Sequence, residues 1–114
     1  MKYTIPAIPP SENKYKGRKN EWDYRADKKK WEEIVWAYCR PVPLLPIKKC
    51  VLTLTYFFPT KIRHDPNNYS GQFITDGLVK AKILDDDSFN CIKLVLCGEY
   101  SKENPRTEIE IEAI

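Results

Sequence analysis

The chain has 114 residues, of which 42% are hydrophobic and 31% charged, with 19 Lys/Arg against 16 Asp/Glu and a net charge of +3. That is the length of one domain with enough apolar side chains for a core, which excludes a disordered tail. No apolar run approaches the ~20 residues that span a bilayer, and the start Met1-Lys2-Tyr3-Thr4-Ile5-Pro6 lacks a secretory apolar stretch, so a cytoplasmic protein without a membrane partner is expected.

Residues 2 to 8 read as a first strand, stopped by Pro9-Pro10. The polar, basic run Ser11 to Asn20 reads as a long loop, a kind of connection that often carries function. Asn20 followed by Asp23 resembles a helix start. From there Trp31, Ile34, Val35 and Tyr38 recur at helical spacing and predict a buried stripe. Lys28, Lys29 and Lys30 lie on other faces, with Glu32 and Glu33 in reach for pairing. Pro41, Pro43 and Pro46 end the helix. Ile47 to Phe58, rich in β-formers, reads as a long strand stopped by Pro59. A second helix is expected from Asn68 to Lys82, with Phe73, Ile74, Leu78 and Ala81 inward and Gln72, Asp76 and Lys80 outward. Gly77 in its middle points to close packing. Ile92 to Cys97 and Thr107 to Glu112 predict two further strands, the last with the alternation of a half-exposed edge strand. The order β-α-β-α-β-β predicts one α+β domain over residues 1–114 with a mixed sheet.

Cys39, Cys50, Cys91 and Cys97 include no C-x-x-C pair, and His64 is the one histidine, which argues against a finger-type zinc site. Cys50, Cys91 and Cys97 fall in apolar runs and are expected as small core residues.

Charge is unevenly divided. Residues 1–63 carry 14 Lys/Arg and 6 Asp/Glu, whereas residues 64–114 carry 5 and 10. The basic half suits a polyanion. Lys14, Lys16, Arg18 and Lys19 surround Tyr15 in a loop with no acidic partner in the basic stretch itself, and Lys61 and Arg63 precede Asp65. Such side chains hold phosphates without reading sequence. In the acidic half, Asp65-Pro66-Asn67-Asn68 precedes the second helix and Asp85-Asp86-Asp87 follows it. Carboxylates gathered this way bind Mg²⁺, which takes oxygen ligands and polarises phosphodiesters. A helix cap and a solvated turn would use the same residues. The two clusters meet only if the chain folds back along the helix or a dimer joins them, since a helix of ~15 residues is ~22 Å long.

Asp65-Pro66-Asn67-Asn68, Asp76-Gly77-Leu78 and Asp86-Asp87-Ser88, in this order, resemble the central motif of the RusA family of Holliday-junction resolvases, and Pro9-Pro10-Ser11-Glu12-Asn13-Lys14-Tyr15 resembles its early P-P-S-x-N-x-Y turn. The resemblance covers most of the chain. It implies a homodimeric, Mg²⁺-dependent endonuclease of bacteria and their phages, acting on four-way DNA without a small-molecule cofactor. Asp65 and Asp87, with Asp86 or Asp85 beside it, would hold the metal, and Asn68 would stand near the DNA. Two departures bear on catalysis. Asn67 replaces the family's second aspartate, and the family's lysine falls on Gly71 or Gln72. A neutral amide weakens a cation site, and a glutamine cannot offset charge on a scissile phosphate. Lys80, Lys82 or His64 are candidates to substitute. The departures leave open a junction binder that no longer cuts, an enzyme silenced deliberately at Asn67, or a nucleic-acid-binding module unrelated to junctions.

Overall fold

The computed structural model describes residues 1–16 and 20–114. The expectations for Arg18 and Lys19 fall outside the described residues. Strands β1 (Lys2–Ile5), β2 (Cys50–Phe58), β3 (Ile92–Tyr100) and β4 (Arg106–Ala113) form one sheet in the order β1-β4-β2-β3. β4 runs antiparallel to β1 and β2, and β3 runs parallel to β2. Helices α1 (Glu21–Tyr38) and α2 (Gln72–Lys80) complete an α+β fold with a mixed sheet. Among the described residues no helix is long and apolar enough to cross a membrane.

Alternation puts Tyr3, Ile5, Leu52, Leu54, Tyr56, Ile109 and Ile111 on one buried face of the sheet. They share a core with Trp31, Val35 and Cys39 of the first helical segment and with Ile74 and Leu78 of the second. The opposite face carries Thr4, Thr53, Thr55, Glu108 and Glu110, which are partly or fully exposed. It is a two-layer arrangement with one solvated side.

Several boundaries differ from expectation for identifiable reasons. β1 stops at Ile5 because Pro6 has no N–H for the ladder. The buried stripe of α1 runs through Trp31, Val35 and Cys39, whereas Tyr38 is exposed: the helix face drifts by a residue near its end. Burial pushes the Cys39 thiol up to about 12, so it is an inert core group. Ile47 lies outside β2 and makes a separate parallel bridge to Leu84. β4 is an interior strand, which corrects the expected edge position: alternation reports one wet face and says nothing about lateral neighbours. Cys97 is exposed and Cys91 half-buried, so of the three strand cysteines only Cys50 is a core residue. β3 lies at the margin of the sheet, beyond most of the helical cover.

α2 is shorter than its hydrophobic pattern. Pro66–Asn68 forms a separate 3-10 turn, and Gly71 at φ 81° breaks the chain before Gln72. A side chain at Gly71 would also collide with Leu54. At the other end, Ile83 N–H donates to Leu78 O (3.0 Å) and Lys82 N–H to Val79 O (3.1 Å). With Lys82 at φ 67°, this is a Schellman turn, closed by the buried pair Leu78 and Ile83. Gly77 meets α1 closely, as the sequence suggests: an added Cβ would lie 2.9 Å from Val35 Cβ.

Candidate active site

Two segments flank α2 and carry the expected site residues. On the upstream side, the chain leaves β2 at Phe58 and lays the His64 ring flat on that phenyl group, with centroids 3.7 Å apart and planes 4° from parallel. Tyr69 meets both rings edge-on. Asp65 follows, half-exposed, and Arg63 Nε donates to its Oδ1 at 2.9 Å. The Asp65 side chain does not cap the 3-10 turn, although its carbonyl accepts from Asn68 N–H at 2.9 Å. Asp65 lines a cleft with Phe58, His64, Tyr69, Leu96 and Gly98. Asn67 is exposed and Asn68 half-buried. Lys61 Nζ lies 5.0 Å over the Tyr100 ring.

The early turn braces this region. Ser11 caps a 3-10 turn at Glu12–Tyr15 by accepting from Asn13 N–H at 3.3 Å. Glu12 then reaches the start of α2, where Ser70 N–H donates to one carboxylate oxygen (2.7 Å) and Ser70 Oγ to the other (2.6 Å). The negative charge sits where the helix dipole is positive. Tyr15 and Tyr24 pack against Phe73, and Tyr15 OH and Lys14 Nζ both donate to Asp27, at 2.7 and 2.8 Å. This corrects the expectation that the basic loop lacks an acidic partner: Asp27 lies nearly two turns into α1 and is drawn in by the fold. Those two bonds hold the Asp27 carboxyl below its ordinary value. Asn20 ties the loop by donating to Lys14 O (2.8 Å) and makes no side-chain cap. Lys16 is exposed.

On the downstream side, the Schellman turn sends the chain back along α2. Asp85 N–H donates to Ile47 O at 3.0 Å, anchoring the acidic segment to the core. The backbone N–H of Asp87 and the side chain of Ser88 beside it keep the Asp86 carboxyl below the usual range. Asp87 comes close to Asp76 on the helix. Burial first, and then the neighbouring Asp87, push the Asp76 carboxyl up, against the pull of Lys28 Nζ at 4.0 Å. Lys80 pairs with Glu32 at 3.0 Å, so Lys28 and Glu32 on α1 face Asp76 and Lys80 on α2 as two rungs of opposite sign. Lys28 therefore pairs across helices rather than with Glu32 or Glu33 along its own.

The chain does fold back after α2, but it brings Asp87 to Asp76 and does not group it with Asp65, which keeps Arg63. Among the described residues no group of three His, Cys, Asp or Glu side chains is arranged to hold one ion. A close carboxylate pair nonetheless suits Mg²⁺, which is held by one or two carboxylates together with waters and substrate phosphates. Gln72 is exposed at the first turn of α2. Glu12 and Asp27 are the residues that sequence reasoning missed. Glu12 stands at the variable position of the P-P-S-x-N-x-Y turn, and only the long-range contact to Ser70 reveals its use. A scan against protein-family models and a search of curated proteins found no match.

Proposed function

We propose that this protein is a RusA-like, Mg²⁺-dependent endonuclease that acts as a homodimer on four-way DNA junctions. The observation that carries the proposal is the turn after α2, which sends the chain back along the helix and brings Asp87 beside Asp76. Three motif carboxylates that sequence separates thereby lie on one helix and its flanking turn. A carboxyl raised by a neighbouring carboxylate and burial is a common mark of a functional site. The pair Asp87 and Asp76 would hold the metal; Asp65 and Asp86 are added by the family resemblance and are not grouped with that pair in this structure. When bound, Mg²⁺ lowers the pKa of an attacking water and offsets charge on the phosphate.

The chain's own groups have simpler tasks. Arg63, 87% exposed at its side chain, and Lys61 stand beside Asp65, where they attract phosphates. Lys16 and, outside the described residues, Arg18 and Lys19 extend the basic run; Lys14 contributes less because Asp27 already holds it. Asn68 offers a neutral donor and acceptor to the DNA backbone. Glu12 and Ser70 fix the start of α2. A two-fold dimer suits the two equivalent strands of a junction.

The test is nicking of a labelled four-way junction with Mg²⁺, beside a linear duplex of the same sequence. Cleavage confined to the junction and lost in Asp87→Asn is expected. Tight junction binding without cleavage, in the parent and in Asn67→Asp, would favour a binding protein of the same fold. Equal affinity for both DNAs would favour a general nucleic-acid-binding module.

A further inference from the structure

β3 is nine residues long, forms an outer edge of the sheet and contains no proline. An edge of this length is a template for another strand unless something covers it. Cys50 N–H donates to Cys91 O and Ser101 N–H donates to Phe58 O, so the odd-numbered residues of this strand turn their backbone groups toward β2. Leu94, Leu96, Gly98 and Tyr100 therefore turn theirs outward. Leu94, Val95 and Tyr100 are exposed apolar side chains on the same strand, so both of its faces are unfinished.

We infer that β3 pairs antiparallel with β3 of a second copy, centred on Leu96, joining the two sheets into one. The strand is self-complementary about that residue. Antiparallel pairing centred there sets Leu94 opposite Gly98 and Ile92 opposite Tyr100, with outward backbone groups facing outward backbone groups as a ladder requires. Lys93 then lies directly opposite Glu99 of the second copy, twice by symmetry, and Val95 lies opposite Cys97. A shift of the centre to Cys97 keeps the ladder parity but sets Lys93 opposite Ser101 and Glu99 opposite Val95. The charges thus select the Leu96 centre, because opposite charges across a strand pair attract and like charges repel. The other margin of the sheet, β1, is four residues long and offers no such symmetry.

This inference names the surface for the dimer in the proposed function, and its test reads assembly without DNA. Sedimentation of the parent at micromolar concentration should show a dimer. Lys93→Glu and Glu99→Lys should each weaken it by roughly tenfold or more, since each change turns two attractive pairs into repulsive ones. Mixing the two variants should restore association as a heterodimer, which also shows that both are folded. Val95→Cys places a thiol opposite Cys97 of the second copy at the ~4.5 Å Cα spacing of a non-hydrogen-bonded pair, within disulfide range. Diamide oxidation should then yield a covalent dimer. A parent dimer indifferent to the charge changes and without that cross-link would overturn the β3 interface while leaving a dimeric nuclease in place. A monomeric parent would overturn the interface and the dimer together, and junction cleavage would then decide the nuclease separately.

Discussion

The carboxylate of Glu12 accepts two hydrogen bonds from Ser70, one from the backbone N–H at 2.7 Å and one from the hydroxyl at 2.6 Å, across 58 residues of sequence. This contact joins the early loop to the start of α2, the helix that presents Asp76. Hydrogen bonds to a charged group contribute about 1.5–3 kcal/mol. Glu12→Ala should therefore lower the denaturant midpoint by that order without changing the slope, and Glu12→Gln should lose less. An unchanged midpoint in Glu12→Ala would show that the contact contributes nothing to the fold.

The middle of α2 and the turn that follows it respond to glycine in opposite directions. Gly77→Ala drives a methyl group to 2.9 Å from Val35 Cβ, and overpacking of this kind costs about 1–3 kcal/mol, more than the gain in helix propensity. Lys82→Gly relieves a side chain held at φ 67° and should stabilise by about 1 kcal/mol. Thermal melts of both variants check the pair of signs.

The pH dependence separates two aspartates. The Asp76 carboxyl lies above its ordinary value of 3.8, so between that value and the raised one the folded form binds more proton than the unfolded chain. Stability from this group is complete below 3.8 and is lost as pH rises through the raised folded value. Asp76→Asn should thus be more stable than the parent at neutral pH, with the difference closing in acid. Asp27, lowered by Lys14 and Tyr15, has the opposite sign. Asp27→Asn should be less stable at neutral pH, and its deficit should shrink as pH falls below 3.8 through the folded value. Melting temperatures taken across the acid range test both.

Lys61 and Arg63 are proposed phosphate contacts beside Asp65. Removing both with Ala should weaken binding to all DNA sequences alike and flatten the salt dependence by roughly one unit of log–log slope per contact. Lys14→Ala should flatten it less and cost stability, because Lys14 is bonded to Asp27 at 2.8 Å. An unchanged slope in the double variant would remove Lys61 and Arg63 from the interface.

Periodicity made both helices, the long β2 strand and the buried side of α2 legible, because apolar spacing answers directly to burial. It could not show where β4 sits: Thr107, Ile109 and Ile111 would alternate in the same way at an edge or in the middle. Nor could it find the start of α2, where Gly71 and the turn at Pro66–Asn68 override a pattern that continues through them. Of the site, the acidic residues were visible as motifs. Their pairing was not, because the return of Asp87 to Asp76 depends on Lys82 adopting a left-handed conformation that lysine seldom favours. Asp27 and Glu12 were hidden for a different reason: each is used through a contact that no local pattern encodes.

The central claim is that the carboxylates around α2 form a Mg²⁺ site for cutting branched DNA, with Asn67 as its weakened member. The most direct measurement is the single-turnover rate of four-way junction cleavage for the parent, Asn67→Asp, and Asn67→Asp with Gln72→Lys. One well-placed electrostatic group is typically worth about 10²–10³ in rate, so each added charge should give a large increase, and Asp65→Asn or Asp87→Asn should remove the activity. If neither the parent nor the double variant cuts branched DNA at saturating Mg²⁺, the nuclease assignment is contradicted.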